Sequence, residues 1–238
     1  MVKAALFDVY GTCVDWHGGM RSAASAMLAE KGLDPSLGTD IAEGWRHRYQ
    51  PAMERVRSAA EPYRPLDALQ LETLADVLDA LDHSHHFGAA DRAWLNAAWD
   101  ALPAWPDTTA SLQSLKAAMP IAACSNGSVA MMERLAAHAG LPWTMICGAE
   151  LARSFKPEPE VYLKSCAALG HAPADVIMIA CHPDDLEAAA DCGLQTGYVP
   201  RPDEWGTASV APDPDPRRFD LHAATLGELV GQIASRAH

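Results

Sequence analysis

Asp8 closes a short apolar run and leads into a glycine-containing turn, in Leu6-Phe7-Asp8-Val9-Tyr10-Gly11-Thr12. A carboxylate at the mouth of a buried strand is a candidate nucleophile. Three later segments carry groups that could serve it. Ser125 and Asn126 begin Ser125-Asn126-Gly127-Ser128, read as the opening of a helix whose free N–H groups and dipole favour an anion. Lys156, in Ser154-Phe155-Lys156-Pro157, adds a positive charge that could keep Asp8 ionised and neutralise a substrate carboxylate. His182, Asp184 and Asp185 follow another apolar run, where Asp185 could orient a water. Arg46 could add a second cationic contact from a helix above. Alone, each has a plain reading: a strand-end Asp is commonly a turn or cap residue, and a Lys before Pro is commonly solvated. In chain order, each at a strand end or on a loop facing that edge, the four segments together point to one site.

The elements that must position these groups follow from periodicity. Strands are expected at Val2–Phe7, 121–124, 145–147, 176–181 and 195–199, each a short apolar run bounded by turn residues. Helices are expected at 20–31, 41–60, 66–81, 91–101, 108–118, 129–139, 160–169, 186–192 and 226–235. From about residue 103 onward strands alternate with helices, which implies a parallel sheet with right-handed crossovers. Ligands of such sheets bind at the carboxyl ends of the strands, where the polar segments gather. The stretch from 15 to 102 holds only helices and reads as an insertion. The expected fold class is therefore α/β, a Rossmann-like parallel-sheet core (1–14 plus 103–238) with an inserted all-helical cap (15–102). Pro200–Pro216, rich in Pro and Asp, reads as a surface loop.

Composition narrows the function. A chain of 238 residues with 49% hydrophobic and 21% charged residues can bury a substantial core. A net charge of −13 argues against a nucleic-acid partner, and it requires a local positive site for any anionic substrate. No apolar stretch reaches membrane-spanning length, and no signal peptide precedes the first strand, so a cytoplasmic location is expected. The cysteines at 13, 124, 147, 166, 181 and 192 form no CxxC pair and read as buried free thiols.

The motifs Phe7–Thr12, Cys124–Ser128, Lys156–Tyr162 and Asp184-Asp185, with a helical cap after the first, resemble the haloacid dehalogenase superfamily. Within it, the chain is most similar to the L-2-haloacid dehalogenases. Tyr10 stands where phosphatases of the superfamily carry a second aspartate that handles the leaving-group proton. The Ser-Asn-Gly-Ser motif and Trp45-Arg46 in the cap point the same way. The resemblance implies hydrolytic dehalogenation of short 2-haloalkanoic acids to 2-hydroxy acids. Asp8 would displace halide from C2 with inversion, and water would then hydrolyse the resulting aspartyl ester. Arg46 and Asn126 would cradle the halide, and Ser125 with main-chain N–H groups would hold the substrate carboxylate. Lys156 and Thr12 would position Asp8, Asp185 would orient or activate the water, and Tyr162 would sit against the Lys156 network. Tyr10 counts among the substrate-binding residues. No cofactor and no metal are implied. The small-molecule partners are a 2-haloacid and halide, and because members are often dimers a homodimer is allowed.

The chain departs from the pattern in the fourth motif. Cys181-His182 replaces a common Ser-Asn, so His182 is either a base for the water or a hydrogen-bonding substitute. Asp184 stands where an aromatic pocket residue is common. Both changes could accompany a smaller pocket suited to haloacetates, including fluoroacetate. Two other functions compete: a Mg²⁺-dependent phosphatase of the same superfamily, and a non-enzymatic binding module. Trp16, Trp45, Tyr49, Trp94, Trp99 and Trp105 read mostly as core, with one or two lining the pocket; His83, His85 and His86 read as a polar surface turn, and His47 and Arg48 as solvated. Asp15 reads as a hinge or cap residue, and Arg201 as an anchor for its loop.

Overall fold

In a computed structural model the fold is described for residues 1–206 and 215–236. Six strands, β1 (Ala4–Phe7), β2 (Ile121–Ser125), β3 (Met145–Gly148), β4 (Val176–Ala180), β5 (Gln195–Tyr198) and β6 (Leu221–His222), form one sheet in the order β3-β2-β1-β4-β5-β6. Every pairing is parallel. After β1 the chain builds outward through β2 and β3, then returns to the other side of β1 as β4. This reversal opens a crevice at the carboxyl ends of β1 and β4, where ligands of doubly wound sheets bind. The resulting α/β, Rossmann-like sheet is the fold class expected from the alternation of elements.

Side chains of the central strands alternate between two cores, as the two-residue period of a strand requires. Ala5, Phe7, Ile121, Ala123, Ile177 and Ile179 pack on one face; Ala4, Leu6, Ala122, Cys124, Val176 and Met178 pack on the other. The helices are α1 (Trp16–Glu30), α2 (Gly38–Arg57), α3 (Leu66–Ala80), α4 (Ala89–Ala97), α5 (Thr108–Lys116), α6 (Val129–Ala139), α7 (Ala149–Ala152), α8 (Pro159–Leu169), α9 (Pro183–Asp191) and α10 (Leu226–Arg236). Leu112, Leu115, Met131, Met132, Leu229 and Ile233 of α5, α6 and α10 cover the first face. Val161, Tyr162, Cys166, Leu186 and Ala189 of α8 and α9 cover the second. The helices α1 to α4 form the block between β1 and α5, and their apolar stripes join the core of the first face.

Several boundaries differ from the periodic reading. Helix α1 starts at Trp16 rather than Met20, because the Asp15 carboxylate accepts the Gly18 N–H at 2.7 Å and caps the helix there. Helix α9 starts at Pro183 rather than Leu186. Proline is well tolerated in a first helical turn, and its place here puts Asp184 and Asp185 in that turn instead of in a loop. The short α7 and β6 have too few residues to show a period. Of the aromatic residues read mostly as core, Trp16, Trp45, Tyr49 and Trp99 are buried and Trp94 is 52% exposed. The cysteines are free as expected, with Cys192 half-buried and the others buried. His83, His85 and His86 lie at a short 3₁₀ turn, Ser84–His86, away from the crevice. Of the Pro200–Pro216 loop, residues 207–214 lie outside the described residues; Pro202–Trp205 form a turn. Among the described residues, no helix is long and apolar enough to cross a membrane.

Candidate active site

Strand β1 ends at Phe7, so the next residue, Asp8, emerges at the crevice with its backbone N–H still held by the Ile179 carbonyl of β4 at 2.9 Å. Asp8 is 6% exposed. Its two oxygens divide their partners. Lys156 Nζ donates to Oδ1 at 2.8 Å; Thr12 Oγ1 donates to Oδ2 at 2.7 Å, and His182 Nδ1 stands 3.0 Å from Oδ2. Thr12 is itself held by the Cys181 N–H at 3.0 Å. Burial pushes the Asp8 carboxyl up, but Lys156 and His182 overturn that and hold it far below the usual carboxylate range. The candidate nucleophile is therefore ionised.

Lys156 comes to Asp8 from the loop before α8. Its backbone N–H donates to Asn126 Oδ1 at 2.8 Å, and its carbonyl accepts Arg57 Nη1 of α2 at 2.8 Å. Its ammonium also reaches Asp185 Oδ2 at 2.6 Å, and Tyr162 Oη donates to Asp185 Oδ1 at 2.5 Å. Burial lowers the Lys156 ammonium, but the carboxylates of Asp185 and Asp8 more than offset this and hold its pKa well above 10.5. Asp185 itself is pushed up, chiefly by burial. Tyr162, pushed up by burial and by Asp185, stays a neutral donor.

Above these groups lies a small cleft of about 90 Å³. It is lined by Asp8, Tyr10, Asn126, Lys156, Tyr162, His182, Asp184 and Asp185 and, from α2, by Arg46, Tyr49 and Gln50. Arg46, Tyr49 and Gln50 sit at i, i+3 and i+4, so one face of α2 roofs the cleft. The Arg46 guanidinium stacks on Tyr49, 4.3 Å from the ring centroid, and lies 5.4 Å from that of Trp16. Tyr10 Oη and Arg46 Nη1 are buried and have no hydrogen-bond partner among the described residues. Burial and the neighbouring Tyr49 push the Tyr10 phenol well above its ordinary value, so it is a donor and not an acid.

Of the sequence-derived site residues, Asp8, Tyr10, Arg46, Asn126, Lys156, Tyr162, His182 and Asp185 meet at the cleft, while Thr12 lies behind Asp8. Ser125 is the last residue of β2, and its Oγ accepts the Gly127 N–H at 3.1 Å, forming the turn that presents Asn126. The expectation that Ser125 and Asn126 open an anion-binding helix is corrected. Helix α6 begins at Val129 with Ser128 as its N-cap; Ser128 Oγ accepts the Met131 N–H and Glu150 accepts the Val129 N–H. Those donors are spent on the protein's own side chains.

Glu204 was missed by the sequence reading. It is buried, and its Oε1 lies 3.0 Å from His182 Nε2 and accepts Trp16 Nε1–H at 2.9 Å. Burial raises the Glu204 carboxyl, and His182, Arg46 and Trp16 outweigh it, so the acid stays ionised. Its only signal in the sequence is an acidic residue in a Pro-Asp-rich loop. Asp8, Cys181 and His182 bring potential ligand atoms within 4.8 Å of one another. They fit a metal ion poorly. Both ring nitrogens of His182 face carboxylates, the Cys181 thiol is pushed up by burial, and an ammonium already bridges Asp8 and Asp185.

Comparison with known proteins identifies relatives of the chain. The model of the haloacid dehalogenase-like hydrolases matches residues 2–193. An (S)-2-haloacid dehalogenase of Xanthobacter autotrophicus is 31% identical over 205 residues, covering 84% of this chain and 76% of its own. The crystal structure of the L-2-haloacid dehalogenase PA0810 superposes with a TM-score of 0.93 at 36% identity, covering 99% of this chain and 100% of its own. That of the defluorinating L-2-haloacid dehalogenase Rha0230 gives 0.91 at 35% identity, covering 97% and 94%. With Asp8, Lys156 and Asp185 gathered at one sheet edge and the family model matching most of its length, the chain belongs to the haloacid dehalogenase-like hydrolase family.

Proposed function

We propose that the protein hydrolyses the carbon–halogen bond of short 2-haloalkanoic acids, releasing 2-hydroxy acid and halide through an ester on Asp8. One observation carries this reading. An ionised, buried Asp8 faces a cleft whose two unpartnered donors, Tyr10 Oη and Arg46 Nη1, suit an anion, and no second carboxylate stands two residues on to protonate a phosphate leaving group. The names of the similar dehalogenases support it.

Asp8 attacks C2 and the halide departs with the bonding electrons. Arg46 and Tyr10 meet the substrate carboxylate and the departing halide, and Asn126, whose Oδ1 is occupied by Lys156 N–H, offers its NH₂ as a further donor. Lys156 and Thr12 hold the nucleophile in place. Asp185, fixed by Lys156 and Tyr162, helps to seat the water that attacks the ester carbonyl. The small cleft favours haloacetates and 2-halopropionates over longer acids. The likeness to a defluorinating enzyme puts fluoroacetate among the substrates to be tried.

Free halide measured with chloroacetate, fluoroacetate and (S)-2-chloropropionate in metal-free buffer tests the reading, with p-nitrophenyl phosphate and Mg²⁺ in parallel. Halide release that disappears in Asp8→Asn is expected. No halide from any short 2-haloacid, together with metal-dependent phosphate release, would overturn it.

A further inference from the structure

The imidazole of His182 spans two carboxylates, with Nδ1 3.0 Å from Asp8 Oδ2 and Nε2 3.0 Å from Glu204 Oε1. Glu204 is 8% exposed and is not among the residues lining the cleft. A buried carboxylate is unfavourable unless it is paired, and three features hold this one on His182. Trp16 Nε1–H donates to Oε1. The loop that carries Glu204 is tied down by Arg201, whose Nε donates to the Thr12 carbonyl at 2.9 Å while Nη1 lies 2.9 Å from Asp107. Gly11 leaves the space open, since a Cβ there would lie 2.4 Å from Glu204 Oε1. The glycine of the first motif thus makes room for an acid that arrives from nearly two hundred residues further along the chain.

We propose that Glu204 is a positioning residue that fixes the His182 ring with Nε2–H held and Nδ1 directed at Asp8, so that His182 is the base for the water that hydrolyses the Asp8 ester. This rests on the dehalogenase reading above. Both oxygens of Asp185 are engaged, by Lys156 and Tyr162. His182 Nδ1, by contrast, loses the carboxylate charge it faces as soon as Asp8 is alkylated. A base oriented by a third group is the arrangement that nucleophilic catalysis reuses on many folds.

In the free enzyme an imidazolium pairs with the Asp8 carboxylate. Alkylation forms the bond from Asp8 oxygen to C2 and breaks the bond from C2 to halogen, whose electron pair leaves with the halide. His182 then gives its Nδ1 proton to bulk water, and this is the one proton the overall hydrolysis releases. Glu204 keeps its charge and goes on accepting Nε2–H. The water oxygen bonds to Asp8 Cγ while one of its protons passes to Nδ1. The adduct collapses by breaking the bond from Cγ to the ester oxygen, which takes the electron pair. The water's other proton, left on the Asp8 carboxyl, passes to that alkoxide. The 2-hydroxy acid departs, and Asp8 carboxylate and His182 imidazolium are restored.

The charged and titratable groups facing this pair are Asp8 at the end of β1 with Lys156 behind it, Cys181 at the end of β4, and Arg46 on α2. Ester hydrolysis needs neutral His182, so its rate rises with pH through the pKa of that ring. Removing the Glu204 charge destabilises the imidazolium and moves this limb to lower pH.

The test combines rapid-quench halide release from chloroacetate with mass analysis of the peptide carrying Asp8, in the wild type, Glu204→Gln, Glu204→Ala and His182→Asn. The variants are expected to release a burst of one halide per site. Turnover then slows, by about 100-fold in Glu204→Ala and less in Glu204→Gln, while alkylated Asp8 accumulates. The acid limb of Glu204→Gln shifts downward, which a merely structural role would not produce. Burst and turnover falling together, without alkylated Asp8 in any variant that keeps its fold, would overturn the proposal. Should Glu204 variants fail to fold, His182→Asn decides alone by the same two readouts. A wild type that releases no halide from any short 2-haloacid would sink the dehalogenase reading instead.

Discussion

Lys156 Nζ lies 2.8 Å from Asp8 Oδ1, with the two side chains only 8% and 9% exposed. The lysine bridges Asp8 to Asp185 and so keeps two buried acids from facing each other uncompensated. Replacing it by methionine should destabilise the fold by about 3–5 kcal/mol, the usual result of stripping one partner from a buried ion pair. The Asp8 carboxyl should also rise, with His182 left to oppose the effect of burial, so the halide burst acquires an acid limb that the wild type lacks. Chemical denaturation and the pH profile of the burst read the two effects; a burst that stays flat with pH would contradict the assigned role.

Tyr10 separates binding from folding. Its buried hydroxyl has no partner among the described residues, so Tyr10→Phe should leave stability unchanged or raise it by about 1 kcal/mol. If that hydroxyl meets the substrate or halide, kcat/KM falls by about tenfold, equivalent to about 1.4 kcal/mol. Thermal melting and steady-state kinetics on one preparation check both, and an unaltered kcat/KM would remove Tyr10 from the site.

Arg46 stacks on Tyr49 at 4.3 Å, a contact that contributes about 0.5–1 kcal/mol when partly exposed. Arg46→Ala should therefore cost little stability while reducing halide release by about 100-fold or more, the scale of losing a donor aimed at developing charge. Arg46→Lys keeps the charge without the planar fork and should fall between. An Arg46→Ala enzyme that loses stability and activity in proportion would contradict this.

The pairing of His182 has a signature in folding. Burial lowers the imidazolium, but Cys181, Glu204 and Asp8 raise it well above 6.5. A raised folded-state pKa adds stability that is complete below 6.5 and fades as pH climbs through the raised value. The stability difference between the wild type and His182→Asn should thus be largest below pH 6.5 and shrink on the alkaline side. Asp8 behaves in the opposite sense: its depressed pKa adds stability above 3.8 that is lost as pH falls toward the folded value. Urea midpoints between these limits give the measurement, and a pH-independent difference would show that His182 is not charged in the free protein.

Much of this site is legible in the chain because each motif is short and local. A carboxylate placed by the end of one strand, a turn at the end of the next and an acid in the first turn of a helix after a third need only a parallel sheet to converge. That sheet is written in apolar runs and alternating helices. The spacing of Arg46, Tyr49 and Gln50 likewise places them on one helical face through the 3.6-residue period alone. The boundary errors at α1 and α9 come from caps and prolines, whose local hydrogen bonds outweigh hydrophobic period.

Only the tertiary structure decided what faces what. Helix α6 satisfies its first N–H groups with Ser128 and Glu150, so the anticipated anion site is filled from within. Glu204 sits in a loop without periodicity, and neither its distance from His182 nor its burial follows from any local pattern. It reaches the ring because Arg201 ties its loop to Thr12 and Asp107, and because Gly11 has no side chain in the way. The sequence alone determined the strand-end carboxylate, its lysine and the family they belong to. Whether His182 is a substitute amide or a base turns on a carboxylate brought to it by long-range packing, which no spacing encodes.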